Sequence, residues 1–147
     1  MGKDNFFAKQ KPKKENDMKE LLIIFIILII IIGGAIYIDK YLKNTSQEIV
    51  GMLESLKEKI NSITNNNSIE HIKEDGKHVY NKWEEIEEEW AFVVLHSELD
   101  LIETSFVRMK AQIEEGELER SIEEIDACIF LVNHISEKEK FCLKNIF

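Results

Sequence analysis

The sequence predicts an all-α chain: one N-terminal transmembrane helix followed by a small extracytoplasmic antiparallel helical bundle. Three features of its 147 residues carry that reading. Leu21–Ile38 (LLIIFIILIIIIGGAIYI) holds no charge. Beyond it, apolar residues recur at alternating steps of three and four, the spacing of a helix with one apolar face. Turn residues are scarce, with Pro12 the single proline and Gly51, Gly76 and Gly116 the only glycines past the apolar run. Sheet proteins need such residues far more often.

At about 1.5 Å per residue the uncharged run spans about 27 Å, close to the roughly 30 Å hydrocarbon core of a bilayer. A soluble domain of this size has no interior wide enough to hide Leu21 to Ile32. Ahead of the run stand Lys3, Lys9, Lys11, Lys13, Lys14 and Lys19, whereas Lys40, Lys43 and Lys57 alone are basic in the twenty residues after it. Lysine near the ends of a span marks the cytoplasmic side, so residues 1–20 are expected inside and 39–147 outside a bacterial cytoplasmic membrane. The rest of the chain nets −11 against +2 for the tail, within a total of −9. An acidic external part is poorly suited to nucleic acid or anionic headgroups.

A cleaved signal peptide is the competing interpretation, because Gly33-Gly34-Ala35 follows a twelve-residue apolar core. The run continues through Ile36, Tyr37 and Ile38, with Tyr37 where an interfacial aromatic belongs, which favours a retained anchor. The Met-Gly start lacks the Ser or Thr of a myristoylation motif, since position 6 is Phe6. The Lys9–Lys14 cluster serves topology better than lipid recognition.

Past the span, Ile49, Leu53, Leu56, Ile60 and Ile63 predict a helix continuing outward over 39–64, ended by the polar stretch Asn65–Ser68. A second series runs Ile69, Ile72, Gly76, Val79, Trp83, Ile86, Trp90. The phase then slips by one, and the pattern resumes as Phe92, Leu95, Leu99, Ile102, Phe106, Met109, Ile113. A one-residue slip turns the stripe by about 100°, so a break is expected between Glu88 and Phe92. Val94, Leu101 and Val107 lie off that stripe, which suggests the third helix is the most buried. Gly116 is a natural stop, and Leu118, Ile122, Ile125, Ile129 and Val132 outline a fourth helix. The bundle is assigned to 68–140, with an apolar tail at 141–147 (FCLKNIF) that either folds back over Phe130 or docks elsewhere.

Candidate chemistry is sparse. His96, Asp100 and Glu103 share the edge of an apolar face at i, i+4 and i+7. They would suit a divalent metal or an acid/base pair, but a hydrogen-bonded His96–Asp100 pair clamping a neighbouring helix is the simpler expectation. Asp75 and His78 form an isolated D-x-x-H, His71 has no partner by spacing, and His134 falls opposite the stripe. Trp83 and Trp90 are expected in the core rather than in a ligand cage, and the Glu84–Glu89 acids on a solvated face. Cys128 and Cys142 are expected as free thiols, because a bridge would require the tail to double back. No nucleophile setting and no phosphate-cradling loop is present. No catalytic, cofactor-binding or metal-binding residue is therefore assigned, and no cofactor is expected.

Taken with Arg108, the segment His96-Ser97-Glu98-Leu99-Asp100, Ile102-Glu103, Trp90 and the ending Asn145-Ile146-Phe147 carry a resemblance. The layout resembles a family of short single-span membrane proteins from low-GC Gram-positive spore-forming bacteria, classed as a domain of unknown function. That resemblance covers nearly the whole chain and implies an N-terminal anchor with a helical external domain. It implies no activity. The expected function is a non-enzymatic contact role, with partners being the bilayer through residues 21–38 and a membrane or envelope protein, a second copy of this chain included. Two alternatives are an envelope or septum scaffold with a coiled-coil partner, and a sensor centred on His96, Asp100 and Glu103.

Overall fold

The computed structural model describes residues 13–63 and 67–144, with side chains over 18–63 and 69–138. Among the described residues there are four helices and no strand: α1 (Lys13–Asn61), α2 (Asn67–Trp90), α3 (His96–Glu115) and α4 (Leu118–Lys144). The chain divides into two compact units, Met1–Ile36 and Tyr37–Phe147.

In the first unit every side chain from Leu21 to Ile31 is exposed. The backbone stays helical through Gly33 and Gly34, although glycine weakens a helix by about 1 kcal/mol relative to alanine. Among the described residues one helix is long and apolar enough to cross a membrane.

The second unit is built on stripes. From Tyr37 onward α1 buries Leu42, Ser46, Ile49, Leu53, Leu56 and Ile60, and α2 buries Ile72, Gly76, Val79, Trp83, Ile86 and Trp90. Both follow a strict four-three rhythm, the seam of helices packed at a shallow angle. α3 contributes Leu99, Ile102, Phe106, Met109 and Ile113, and α4 contributes Ile125, Cys128, Val132 and Ile135. Lateral contacts fix the register. Lys59–Asp75 (2.7 Å), Lys82–Glu48 (3.2 Å) and Trp90–Thr45 (3.0 Å) join α2 to α1. Trp83 meets Phe106 across α2 and α3, Lys138 meets Glu98 at 2.5 Å across α4 and α3, and Lys57 meets Asp126 at 2.5 Å across α1 and α4. In the contacts of α2 with α1 and with α3, residue numbers rise along one helix as they fall along the other. The ion pairs are half-exposed or exposed, so each is worth at most about 1 kcal/mol. They set alignment, and apolar burial holds the unit together.

The expected break falls where the phase slips. α2 ends at Trp90, whose carbonyl accepts from both Val93 (2.9 Å) and Val94 (2.8 Å), and the chain turns before α3 begins after Leu95. No glycine or proline causes it. Bulky Phe92, Val93 and Val94 have modest helix propensity, and Trp90 and Val94 are both held in the core.

Phe92 and Leu95 do not join the third stripe: they are 88% and 63% exposed on the turn. Leu101 and Val107 are also exposed, at 59% and 47%, so α3 has one solvent face and is not a fully buried helix. In α4 the buried face is rotated from the expected one. Ser121 and Cys128 are buried, whereas Leu118, Ile122 and Ile129 are only half-buried. Gly116 ends α3 in the left-handed region at φ 79°, with backbone bonds to Gln112 and Ile113. An L side chain resists that conformation, which is why glycine stands there.

Residues 39–61 belong to the same compact unit as α2–α4, and their apolar stripe is filled by the chain's own helices.

Gly76 lets α2 approach α3 closely, since a Cβ there would lie 3.0 Å from Ile113 Cδ1 and 3.3 Å from its Cγ2. Gly76→Leu should cost about 1–3 kcal/mol by overpacking, and adding Ile113→Ala should recover part of that loss. Chemical denaturation of the detergent-solubilised full chain, followed by circular dichroism, reads both.

Candidate functional site

Polar atoms and large aromatic rings converge in one place in the second unit, between the end of α2 and the first turns of α3. Trp83 is fully buried, and a buried indole N–H needs an acceptor. It donates to Glu103 Oε2 at 2.7 Å, while the Tyr80 hydroxyl donates to Glu103 Oε1 at 2.9 Å. Tyr80 and Trp83 are three residues apart on α2, so both reach the same carboxylate. Lys110 Nζ stands 4.3 Å from the centre of the Tyr80 ring, a cation–π contact.

Trp83 stacks on Phe106 with ring centroids 4.8 Å apart and planes 4° from parallel. It also meets Trp90 in a T-shaped contact, with ring centroids 5.9 Å apart and planes at 83°. Trp90 Nε1 donates to Thr45 Oγ1 at 3.0 Å, and Thr45 in turn donates to the Tyr41 carbonyl at 2.9 Å. A continuous ladder therefore runs from Lys110 and Glu103 on α3, through the α2 rings, to α1. The expectation that both tryptophans are core residues holds.

Of the three polar residues singled out by spacing, only Glu103 is held in the helix interface. His96 and Asp100 are exposed, and among the described residues no hydrogen bond joins them. Glu103 is half-buried, and both its oxygens accept bonds from α2. Its partners come from across the helix interface, not from the i−7 and i−3 positions. Among the described residues no group of three His, Cys, Asp or Glu side chains is placed to hold a metal ion. His134 is exposed and lies against the Phe130 ring at 6.1 Å. Cys128 is a buried free thiol, and burial, aided by Glu124, pushes its pKa up. A thiol so placed is inert. The Cys142 side chain and the 141–147 tail lie outside the described side chains.

Burial is also the main reason that the Tyr80 phenol and the Glu87 carboxyl are shifted upward, with Glu103 adding to both. Asp100 and Glu84 push Glu87 further in the same direction, and His96 opposes them. Sequence reasoning missed Tyr80 and Thr45. The available signal was the rule that a buried indole seeks an acceptor.

A family model described as Domain of unknown function (DUF4363) matches residues 36–146. The chain belongs to the DUF4363 family. The match covers the second compact unit almost end to end, so the four-helix core and its aromatic ladder are what this DUF4363 chain holds within the family region. No curated protein and no solved structure matches the chain.

Two measurements test the ladder. Glu103→Leu strands the Trp83 N–H in the core and should destabilise the protein by about 1–3 kcal/mol. Trp83→Phe should reduce that penalty, and a double-mutant cycle on urea melts reads the coupling. Glu87 concerns pH. Its folded pKa lies above the ordinary 4.5, so the folded state holds the proton more tightly and stability falls as pH rises through that raised value. Glu87→Gln should therefore raise stability at pH 7 by roughly 0.5 kcal/mol, a gain that disappears below about pH 4. Melting temperatures across that range show whether it does.

Proposed function

We propose that this DUF4363 protein is a single-pass anchored domain: residues 21–38 span the bacterial cytoplasmic membrane, residues 1–20 stay inside, and an antiparallel four-helix bundle works outside by contact with another protein. One observation carries the reading. Along the single helix α1, Leu21–Ile31 expose every side chain, while Leu42, Ile49, Leu53, Leu56 and Ile60 bury theirs in a protein core. Hydrocarbon is the solvent in which the first stretch is stable, because a helix satisfies its own backbone and isoleucine-rich surface costs nothing there.

A contact role, without catalysis, is supported by where the polar chemistry goes. The one half-buried carboxylate among aromatic rings spends its oxygens on Tyr80 and Trp83. The α1 stripe is occupied within the chain, so a partner meets the outer faces of the bundle or its ends. The acidic balance of the external part favours a partner with basic surface.

Intact protoplasts carrying the full chain test the anchor. Protein should remain with membranes after alkaline wash and begin upstream of Leu21, and external protease should remove epitopes in 83–147 while an N-terminal tag survives. Soluble protein that begins at Ile36, or an external domain untouched by protease in protoplasts but cleaved after lysis, overturns the reading. Crosslinking in membranes then identifies the partner.

A further inference from the structure

We propose that the turn between α2 and α3, Ala91–Leu95, docks on the surface of the bilayer that holds Leu21–Ile38, with Phe92 and Leu95 inserted among the lipid headgroups. This rests on the anchored reading above.

The turn is apolar and held outward. Phe92 and Leu95 are exposed, while Val94 between them is buried and pins the segment to the core. Backbone bonds from Ala91 to Glu87 (2.9 Å), Val93 to Trp90 (2.9 Å) and Leu99 to Leu95 (3.2 Å) shape it. The two side chains are presented by a formed turn.

Its place in the second unit points to lipid. Trp90, the residue before the turn, bonds to Thr45 at 3.0 Å, and Thr45 follows the last apolar residue of the run, Ile38, by seven positions. That is about 10 Å along a helix. Tyr37, one turn before Tyr41, is exposed in this same unit where an aromatic at a membrane interface sits.

The two ends of the bundle also differ in chemistry. At the far end the described residues are largely polar: Asn61, Ser62 and Asn67 flank one connection, and Glu114–Glu119 reads EEGELE. Far-end position follows from Lys59–Asp75 and the approach of Gly76 to Ile113. The near-end connection reads AFVVL. A turn that faced only water would gain nothing from an exposed phenylalanine, whereas apolar groups at a bilayer surface bind by burying area among headgroups and upper acyl chains. Acidic neighbours Glu88, Glu89, Glu98 and Asp100 favour a weakly charged surface over an anionic one.

The test uses the full chain with Cys142→Ser, in which Cys128 stays buried, reconstituted in phosphatidylcholine vesicles. A fluorophore is placed singly through Leu95→Cys, through Glu117→Cys at the far end, or through Ile27→Cys in the span. Nitroxide carried on lipid should quench position 95 several-fold more than position 117, and Phe92→Ser should bring position 95 down toward 117. Circular dichroism checks that this exposed substitution leaves the fold intact. Strong quenching at 27 with equal, weak quenching at 95 and 117 overturns the docking and leaves the anchor standing. Protection of 95 from an aqueous quencher without lipid quenching also overturns it, because a protein surface then covers the turn. Absence of quenching at 27 removes the anchor itself, and the docking with it.

Discussion

Trp83 is where three helices are tied together. Its ring lies flat on Phe106 of α3 and makes a T-shaped contact with Trp90, and its N–H reaches Glu103. Trp90 passes the connection to α1 through Thr45. Each contact alone is modest, since an aromatic pair adds about 0.5–1.5 kcal/mol beyond its burial and a hydrogen bond to a charged group about 1.5–3 kcal/mol. Their value is that they are directional. A stripe of leucine and isoleucine tolerates sliding and rotation, but an indole with one donor and a carboxylate with two filled acceptors do not. The register of α1, α2 and α3 follows from satisfying that donor without leaving a charge stranded.

That constraint explains why the half-buried carboxylate of α3 is structural. A free carboxylate beside a histidine and another acid invites a metal or a proton-transfer role, and the spacing of His96, Asp100 and Glu103 allows such an arrangement on paper. Helix geometry brings the three to one edge, yet the neighbouring helix claims Glu103 first. His96 and Asp100 are left in solvent, where they act on Glu87 only through charge.

Much of the fold was legible because helices write their packing into spacing. The stripes of α1 and α2, the stop at Gly116 and the break near Glu88 all follow from counting threes and fours. The failures share a cause. Ser46, Ser121 and Cys128 fill core positions where small side chains let helices approach, and a search for large hydrophobes passes over them; this is why the α4 face came out rotated. Phe92 and Leu95 fit the spacing of the next stripe but sit on a turn, where period has no meaning. The polar partners were invisible for another reason: Tyr80 reaches Glu103, and Thr45 reaches Trp90, only through packing between helices.

A closed core limits how such a protein can communicate. Its α1 seam is used, its most polar interior group is satisfied, and its thiol at Cys128 is buried. Opening the bundle to expose any of these would sacrifice the tryptophan contacts together, because they share Trp83. Recognition without that loss has to use parts that are already outside: the faces of α3 and α4 that carry Leu101, Val107 and Phe130, and the apolar turn at Phe92. The proposed contact role therefore asks least of a bundle whose remaining chemistry lies on its exterior and at one end, whereas a change of internal state would break the Trp83 contacts.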